Sequence, residues 1–197
     1  MRSPGVVTEL DPPGFLARLD EVVAIYAAAM RPDPADLPGR RYIMQRHAAN
    51  PNFRALAVSE WPGGPLTAFS YAFRGQAGQW WHDVVLAGIT TAAGSQAASG
   101  WLSSAMEIAE VHVHPDYQRR GTGRRMLLTL TAGRSERTAL LSTRDAESPA
   151  RRLYRDLGFS DLLTGYSFPG GSPPYAVMGA VLPLRGGPAA GDGGPPG

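Results

Sequence analysis

The chain has 197 residues, a formal net charge of +2, 24 glycines, 18 prolines and neither cysteine nor lysine. That length suits one ordinary α/β domain, and the lack of cysteine excludes disulfides and thiolate metal ligands. No apolar run approaches the roughly 20 residues of a membrane span, and Met1-Arg-Ser-Pro-Gly5 lacks the apolar stretch of a secretory signal, so a cytoplasmic setting with no membrane partner is expected.

In chain order, Val6 to Glu9 reads as a first strand. Asp11-Pro-Pro-Gly14 interrupts it, and Phe15, Leu19, Val22, Val23 and Tyr26 then recur at helical spacing. Pro32, Pro34 and Pro38 mark a loop before a second helix over Arg40 to Ala49, ended by Asn50-Pro51. Phe53 to Glu60 and Leu66 to Arg74 read as the arms of a hairpin around Trp61-Pro-Gly-Gly-Pro65. A short helix follows over Gln79 to Leu86, and the small, polar stretch Gly88 to Gly100 reads as a flexible loop. Met106 to His114 is a strand, Gly121 to Ala132 a helix closed by Gly133, and Thr138 to Thr143 a further strand. Ser148-Pro149 supplies an N-cap and a first-turn proline for a helix carrying Ala150, Leu153, Tyr154 and Leu157, which stops at Gly158. Phe159 to Phe168 and Tyr175 to Leu182 are the last strands. Residues 185–197 are Gly/Pro/Ala with almost nothing to bury, and are expected to form a disordered tail. This order predicts an α/β protein, a mixed sheet flanked by helices, with residues 1–184 as a single domain.

The most specific signal is Val111-His-Val-His-Pro-Asp-Tyr-Gln-Arg-Arg-Gly-Thr-Gly-Arg-Arg125. A β-branched run ends at His114, Pro115 stops ladder pairing, and a glycine turn leads into the apolar-periodic Met126, Leu127 and Leu130. Strand, glycine turn and helix in that order aim backbone N–H groups and a helix dipole at one point, which suits a pyrophosphate. No third glycine follows as in a Rossmann fingerprint, and position 124 is Arg where a P-loop needs Lys. The string resembles the acetyl-CoA signature of the GNAT superfamily of N-acetyltransferases, in which a strand ending in Val-x-Pro precedes Gln/Arg-x-x-Gly-x-Gly/Ala and a helix. Val113, Pro115, Gln118, Gly121 and Gly123 fill those positions. The resemblance implies the GNAT fold, with a mostly antiparallel mixed sheet. It also implies acetyl-CoA as acyl donor in the splay beside the 106–114 strand. Val111, His112 and Val113 would offer backbone groups to the pantetheine arm, and Gln118, Arg119, Arg120, Gly121, Thr122, Gly123 and Arg124 would form the pyrophosphate loop.

A second string, Ala150-Arg-Arg-Leu-Tyr-Arg-Asp-Leu-Gly-Phe159, resembles the family's Ala-x-x-Leu-Tyr-x-x-x-Gly-Phe. The family's tyrosine lies near the thioester sulfur and can protonate the departing thiolate, a role the resemblance gives to Tyr154. Read without it, Tyr154 is an aromatic on the apolar stripe beside Leu153 and Leu157, its hydroxyl at the rim. The chain departs from the family at Glu147, where an asparagine often contacts the pantetheine arm.

Acyl transfer needs a neutral amine, and an alkyl ammonium is only about one part in a thousand neutral at pH 7, so a positioned base is required. Glu107 and Glu110 lie on the strand before the loop, and their odd separation predicts opposite faces. The segment Glu107-Ile-Ala-x-x-x-Val113 is similar to the one carrying the base in histone-acetylating members, which favours Glu107 and leaves Glu110 in reserve. A rim carboxylate paired with an arginine is the other reading. His112 and His114 share a strand face but lack a third ligand, so no metal is expected. Ten of the 19 arginines lie between Arg119 and Arg155, interspersed with Glu136, Asp145, Glu147 and Asp156 and with no aromatic run. They read mostly as a solvated face near a phosphate-rich cofactor, with no nucleic-acid partner. Trp80, Trp81, His82 and Asp83 lie where the family inserts substrate-contacting elements, or else form a helix that docks its indoles on the sheet. Gln76 to Trp101, with aromatic surface at Trp80, Trp81 and Trp101, is expected to wall the acceptor pocket as a closing loop, with a surface insertion packed by its tryptophans as the other reading. The reading is thus an N-acetyltransferase acting by direct attack of an amine in a ternary complex. A non-catalytic acyl-CoA sensor is the alternative, and a homodimer is compatible with either.

Overall fold

The computed structural model describes residues 5–170 and 173–187. Met1 to Pro4, and the expected tail from residue 188 onward, lie outside the described residues. In chain order the elements are β1 Val6–Leu10, α1 Pro12–Ala17, α2 Leu19–Met30, α3 Leu37–His47, β2 Arg54–Ser59, β3 Leu66–Arg74, α4 Trp80–Ala93 and α5 Ser95–Leu102. They continue as β4 Ala105–Val113, α6 Thr122–Thr131, β5 Thr138–Arg144, α7 Pro149–Asp156, β6 Ser160–Tyr166 and β7 Tyr175–Val181, with short 3₁₀ turns at Pro34–Asp36 and Pro115–Tyr117. These elements form two compact units. One is built from the chain up to Gly75 together with Met106–Leu130, the other from Gln76–Ala105 and the chain from Thr131 onward.

In the first unit β1, β2, β3 and β4 pair in that order, each antiparallel to the next. Asp11-Pro-Pro-Gly14 does not merely interrupt. Asp11 accepts the Gly14 N–H at 2.8 Å and caps α1, whose first two positions are the prolines, where no intrahelical N–H bond is lost. The same logic starts α3 at Leu37, ahead of the expected Arg40, with Pro38 in its first turn. The helical spacing of Phe15, Leu19, Val22 and Ile25 places one face of α1 and α2, together with Met44 of α3, in a core with Ala55, Phe69, Tyr71 and Phe73. Each of the large aliphatic and phenylalanine side chains among them contributes about 1.5–3 kcal/mol of burial. Leu56 and Val58, which alternate with Ala55 and Ala57, are equally buried, so β2 is covered on both faces.

In the second unit β7 pairs antiparallel with β5 on one side and β6 on the other. The stretch Gly88 to Gly100, expected as a loop, is helical instead. Val85 and Ile89 of α4, and Ala98 and Leu102 of α5, keep a four-residue spacing and enter a core with Leu140, Leu163, Phe168 and Val177. Alanine and serine fill the intervening turns and dilute the pattern. Thr90 and Thr91 return their hydroxyls to the Leu86 and Ala87 carbonyls at 2.7 and 3.0 Å, which satisfies them inside the helix. Gly94 separates the two helices. Two indoles dock within the unit. Trp81 Nε1 donates to Ser142 Oγ at 3.2 Å, and Trp101 covers Gly179 of β7, where a Cβ would come within 2.9 Å of the ring. Trp80 is 59% exposed and packs at 5.8 Å on Phe168.

Candidate active site

The register of β3 against β4 shifts once. Tyr71 stands opposite Glu110 and Ala72 opposite Ile108, so Ala109 is the extra residue of a β-bulge. Below the bulge Glu107 faces Phe73, and above it Glu110 faces Tyr71 and His112 faces Phe69. Phe69, Tyr71 and Phe73 alternate along β3 and share one face. Glu107, Glu110 and His112 therefore share that face too, which overturns the expectation of opposite faces. A regular strand would have separated the carboxylates, and the bulge realigns them.

Both carboxylates are buried, at 6% and 7% exposure, but in different company. Glu110 accepts from the Arg40 guanidinium at 3.0 Å with one oxygen and meets His112 Nε2 with the other. Arg40 in turn lies over the Tyr26 ring at 4.9 Å. Among the described residues no such cation pairs with Glu107. Its Oε2 is enclosed with no hydrogen-bond partner, and burial pushes its carboxyl up to about 8. Opposite Glu110, the fully buried Tyr71 shares a 3.0 Å hydrogen bond with His47 Nδ1. Arg40, His47 and Tyr71 were not singled out in the sequence. They come from α3 and β3, some 35 to 70 residues before the carboxylates, and no local motif links them.

At the far end of β4 the chain is tied back on itself. Gln118 Nε2 donates to the Val113 carbonyl at 3.1 Å, and Pro115–Tyr117 makes one 3₁₀ turn in which His114 Nδ1 accepts the Asp116 N–H at 3.4 Å. Arg119 and Gly121 both have left-handed backbones, φ +61° and +76°. They bracket Arg120, whose guanidinium bonds the Asp116 carbonyl at 2.6 Å and covers the Tyr117 ring at 5.0 Å. Alternating backbone hands of this kind turn successive N–H groups into an anion-binding concavity, and α6 begins at Thr122 directly after it. A Cβ at Gly121 would meet nothing within 4 Å, so the space over the loop is open. Arg119, Arg120 and Arg124 are exposed around it. The donors and charges fit a pyrophosphate. Met126, Leu127 and Leu130, all fully buried, anchor α6.

In the second unit Ser148 Oγ accepts the Arg151 N–H at 3.1 Å and caps α7, with Pro149 in the first turn. The end of α7 is a Schellman motif. Phe159 N–H reaches the Tyr154 carbonyl at 3.0 Å, Gly158 N–H reaches that of Arg155 at 3.0 Å, and Gly158 is left-handed at φ +100°. The Tyr154 and Phe159 rings pack at 5.8 Å across it. Arg151 departs from the solvated reading of the arginines. It is 5% exposed and held by Asp145 and, at 2.9 Å, by Asp161. Glu147 pairs with Arg155 at 2.7 Å. Among the described residues no group of three His, Asp or Glu could hold a metal ion, and no described helix is long and apolar enough to cross a membrane.

A family model for the acetyltransferase (GNAT) domain matches residues 80–161, which include both motif segments. The GCN5-like protein acetyltransferase Rv2170 of Mycobacterium tuberculosis is 30% identical over 200 residues, spanning 89% of this chain and 97% of the relative. The chain belongs to the GNAT acetyltransferase family. Solved GNAT structures agree in fold. The ribosomal-protein-S18-alanine N-acetyltransferase of Escherichia coli aligns at TM-score 0.59 and 18% identity, covering 96% of this chain and 97% of that one. The Salmonella typhimurium protein yncA, solved with its cofactor acetyl-CoA, aligns at 0.61 and 18% identity, covering 95% and 99%. In this GNAT chain the glycine loop and the Tyr154 helix thus belong to the part that matches the family model directly. The helices α1 to α3, which cover the Glu107 face, precede that part.

Proposed function

We propose that this GNAT protein transfers an acetyl group from acetyl-CoA to a primary amine by direct attack in a ternary complex, with Glu107 accepting the amine proton. The observation that carries the reading is the contrast on β4. Glu110 is already paired with the Arg40 guanidinium and hydrogen-bonded to His112, whereas Glu107 is enclosed, meets no cation among the described residues and binds its proton tightly enough to work near neutral pH. The loop Gln118 to Arg124 would hold the pyrophosphate of the donor, and Val111, His112 and Val113 would offer main-chain groups to its pantetheine arm. Tyr154 is assigned to protonate the leaving thiolate on the strength of its motif. The Mycobacterium tuberculosis relative is named a protein acetyltransferase, which supports a protein amine as the acceptor class here.

The test follows CoA thiol release from acetyl-CoA with two peptides, one carrying an internal lysine behind a blocked N-terminus, the other a free N-terminal alanine. The protein contains no lysine of its own, so its side chains contribute no acceptor. Turnover should rise with pH along a limb near 8. Glu107→Gln should lower kcat by about 10²-fold, with part of the loss recovered at high pH, and Tyr154→Phe should slow turnover with acetyl-CoA affinity kept. Binding of acetyl-CoA with no amine-dependent release would leave only the sensor reading. Full activity in Glu107→Gln, with loss in Glu110→Gln, would assign the base to the other carboxylate.

A further inference from the structure

The helix that carries Tyr154 has eight residues, too few to hold its own place in water, so its neighbours decide where Tyr154 sits. Arg151, Tyr154 and Leu157 recur at three-residue spacing and are buried, while Arg152, Arg155 and Asp156 are exposed. A guanidinium on the buried face of α7 is costly to desolvate. Apolar side chains of similar volume often serve stability as well as a buried ion pair, or better. The reason for an arginine here lies in what it reaches.

Arg151 Nη1 meets Asp145 Oδ1, and its Nη2 meets Asp161 Oδ2 at 2.9 Å. Asp145 directly follows β5, Asp161 is the second residue of β6, and β7 pairs with both strands between them. One planar fork thus joins the two strands that flank β7. Its acceptors are themselves fixed. The Asp145 N–H donates to the Pro174 carbonyl at 3.0 Å, and Asp145 Oδ2 accepts the Gly165 N–H at 2.5 Å. That N–H comes from a strand with two bulges, since Asp161 stands opposite Met178, Leu163 opposite Val177 and Tyr166 opposite Tyr175. The second bulge holds Gly165, left-handed at φ +60°. Arg155, one turn further along α7, reaches Asp161 at 3.6 Å and Glu147 at 2.7 Å.

We propose that Arg151 is a positioning residue for Tyr154. By joining the end of β5 to β6 it fixes the rotation and depth of α7 at its start, as the Schellman turn and the Tyr154–Phe159 ring contact fix its end. Tyr154 follows three residues later on the same buried face, carried by the same hydrogen-bonded backbone. The proposal rests on the reading of Tyr154 as the acid that protonates the leaving thiolate. Arg151 itself gives up no proton, because a guanidinium stays charged. Its role is to hold the phenol hydroxyl where that proton is needed, and small displacements of a reacting group cost rate steeply.

The experiment measures kcat and KM of the full chain with acetyl-CoA and whichever of the two peptides is the better acceptor. Arg151→Met alone leaves two carboxylates unpaired and could unfold the protein. It is therefore run beside a neutral variant that combines it with Asp145→Asn and Asp161→Asn, which removes all three charges and keeps an oxygen for the Gly165 N–H. Each should lower kcat by about 10-fold or more, with KM for acetyl-CoA within about twofold of wild type. The same substitutions are then made in Tyr154→Phe. There they should cost nothing further in kcat, because the hydroxyl they misplace is already gone, whereas a merely loosened fold would slow both backgrounds alike. The proposal is overturned if the folded neutral variant keeps wild-type kcat, if the losses in the two backgrounds are equal, or if the wild type shows no amine-dependent turnover. Tyr154→Phe by itself separates the two claims. Wild-type kcat there removes the acid and this role with it. A slow Tyr154→Phe beside a silent or additive Arg151 variant removes only the positioning.

Discussion

Glu107 and Glu110 are the same side chain on the same strand face, and their partners give them different chemistry. Arg40 pairs with Glu110 and His112 hydrogen-bonds it, while Glu107 is left to desolvation alone, which favours its protonated form. The glycine loop shows a comparable economy. The left-handed φ of +76° at Gly121 strains any side chain, and the open space above it is usable only because none is there. Gly123 lies in the first turn of α6, where the first N–H groups have no intrahelical acceptor. Gly123→Glu brings bulk and a negative charge to that point and should weaken acetyl-CoA binding by at least about 10-fold at low salt. Isothermal titration of the folded variant checks this, and unchanged affinity would move the pyrophosphate elsewhere.

At the scale of elements, the packing of α4 against β6 depends on one missing methyl. A Cβ on Gly88 would lie 2.9 Å from both the Leu163 and Tyr166 side chains. Tyr166 cannot easily retreat, because its hydroxyl donates to the Val84 carbonyl at 3.2 Å. Gly88→Val should therefore cost about 1–3 kcal/mol despite better helix propensity, the usual range for overpacking, as read by urea unfolding. A stability equal to wild type would mean the helix can shift outward. Gly88 also shows what could and could not be read in the sequence. The segment 106–159 was legible because its elements are set by local rules: the strand into Pro115, the Ser148-Pro149 cap, and the Gly158 stop that proves to be a Schellman turn. That turn gives Leu153-Tyr154-x-x-x-Gly158-Phe159 a folding reason of its own, beside the role proposed for Tyr154. In the segment 88–100 Gly88 and Ala98 sit in close packing inside helices and Gly94 alone of the small residues breaks them, whereas composition alone reads the whole stretch as a loop. The bulge at Ala109 was invisible for a different reason, since it is a property of the pairing with β3, and it decides which carboxylates share a face.

For the molecule as a whole, the enclosed Glu107 makes stability depend on pH in a direction opposite to that of most carboxylates. Its ordinary value is near 4.5 and its folded value about 8. Below about pH 4.5 it is protonated in both states and contributes nothing. Between there and about 8 the folded protein keeps a proton that the unfolded chain has released, so stability falls as pH rises through this window. Above 8 the whole cost is present. His47 works the other way. Its imidazole is neutral in the fold down to about 4, so stability falls as pH drops below about 6.5. The two slopes together favour a stability maximum on the mildly acidic side of neutrality. They are separated by comparing Glu107→Gln with wild type, because a glutamine cannot ionise and the other groups cancel in the difference. The two proteins should have nearly equal unfolding free energies near pH 5. The variant should become the more stable one as pH rises, by at most about 5 kcal/mol near pH 9. Urea unfolding at both ends of the range measures this directly. A difference that stays flat with pH would mean that Glu107 is ionised in the folded protein, and it could not then serve as a base tuned by burial.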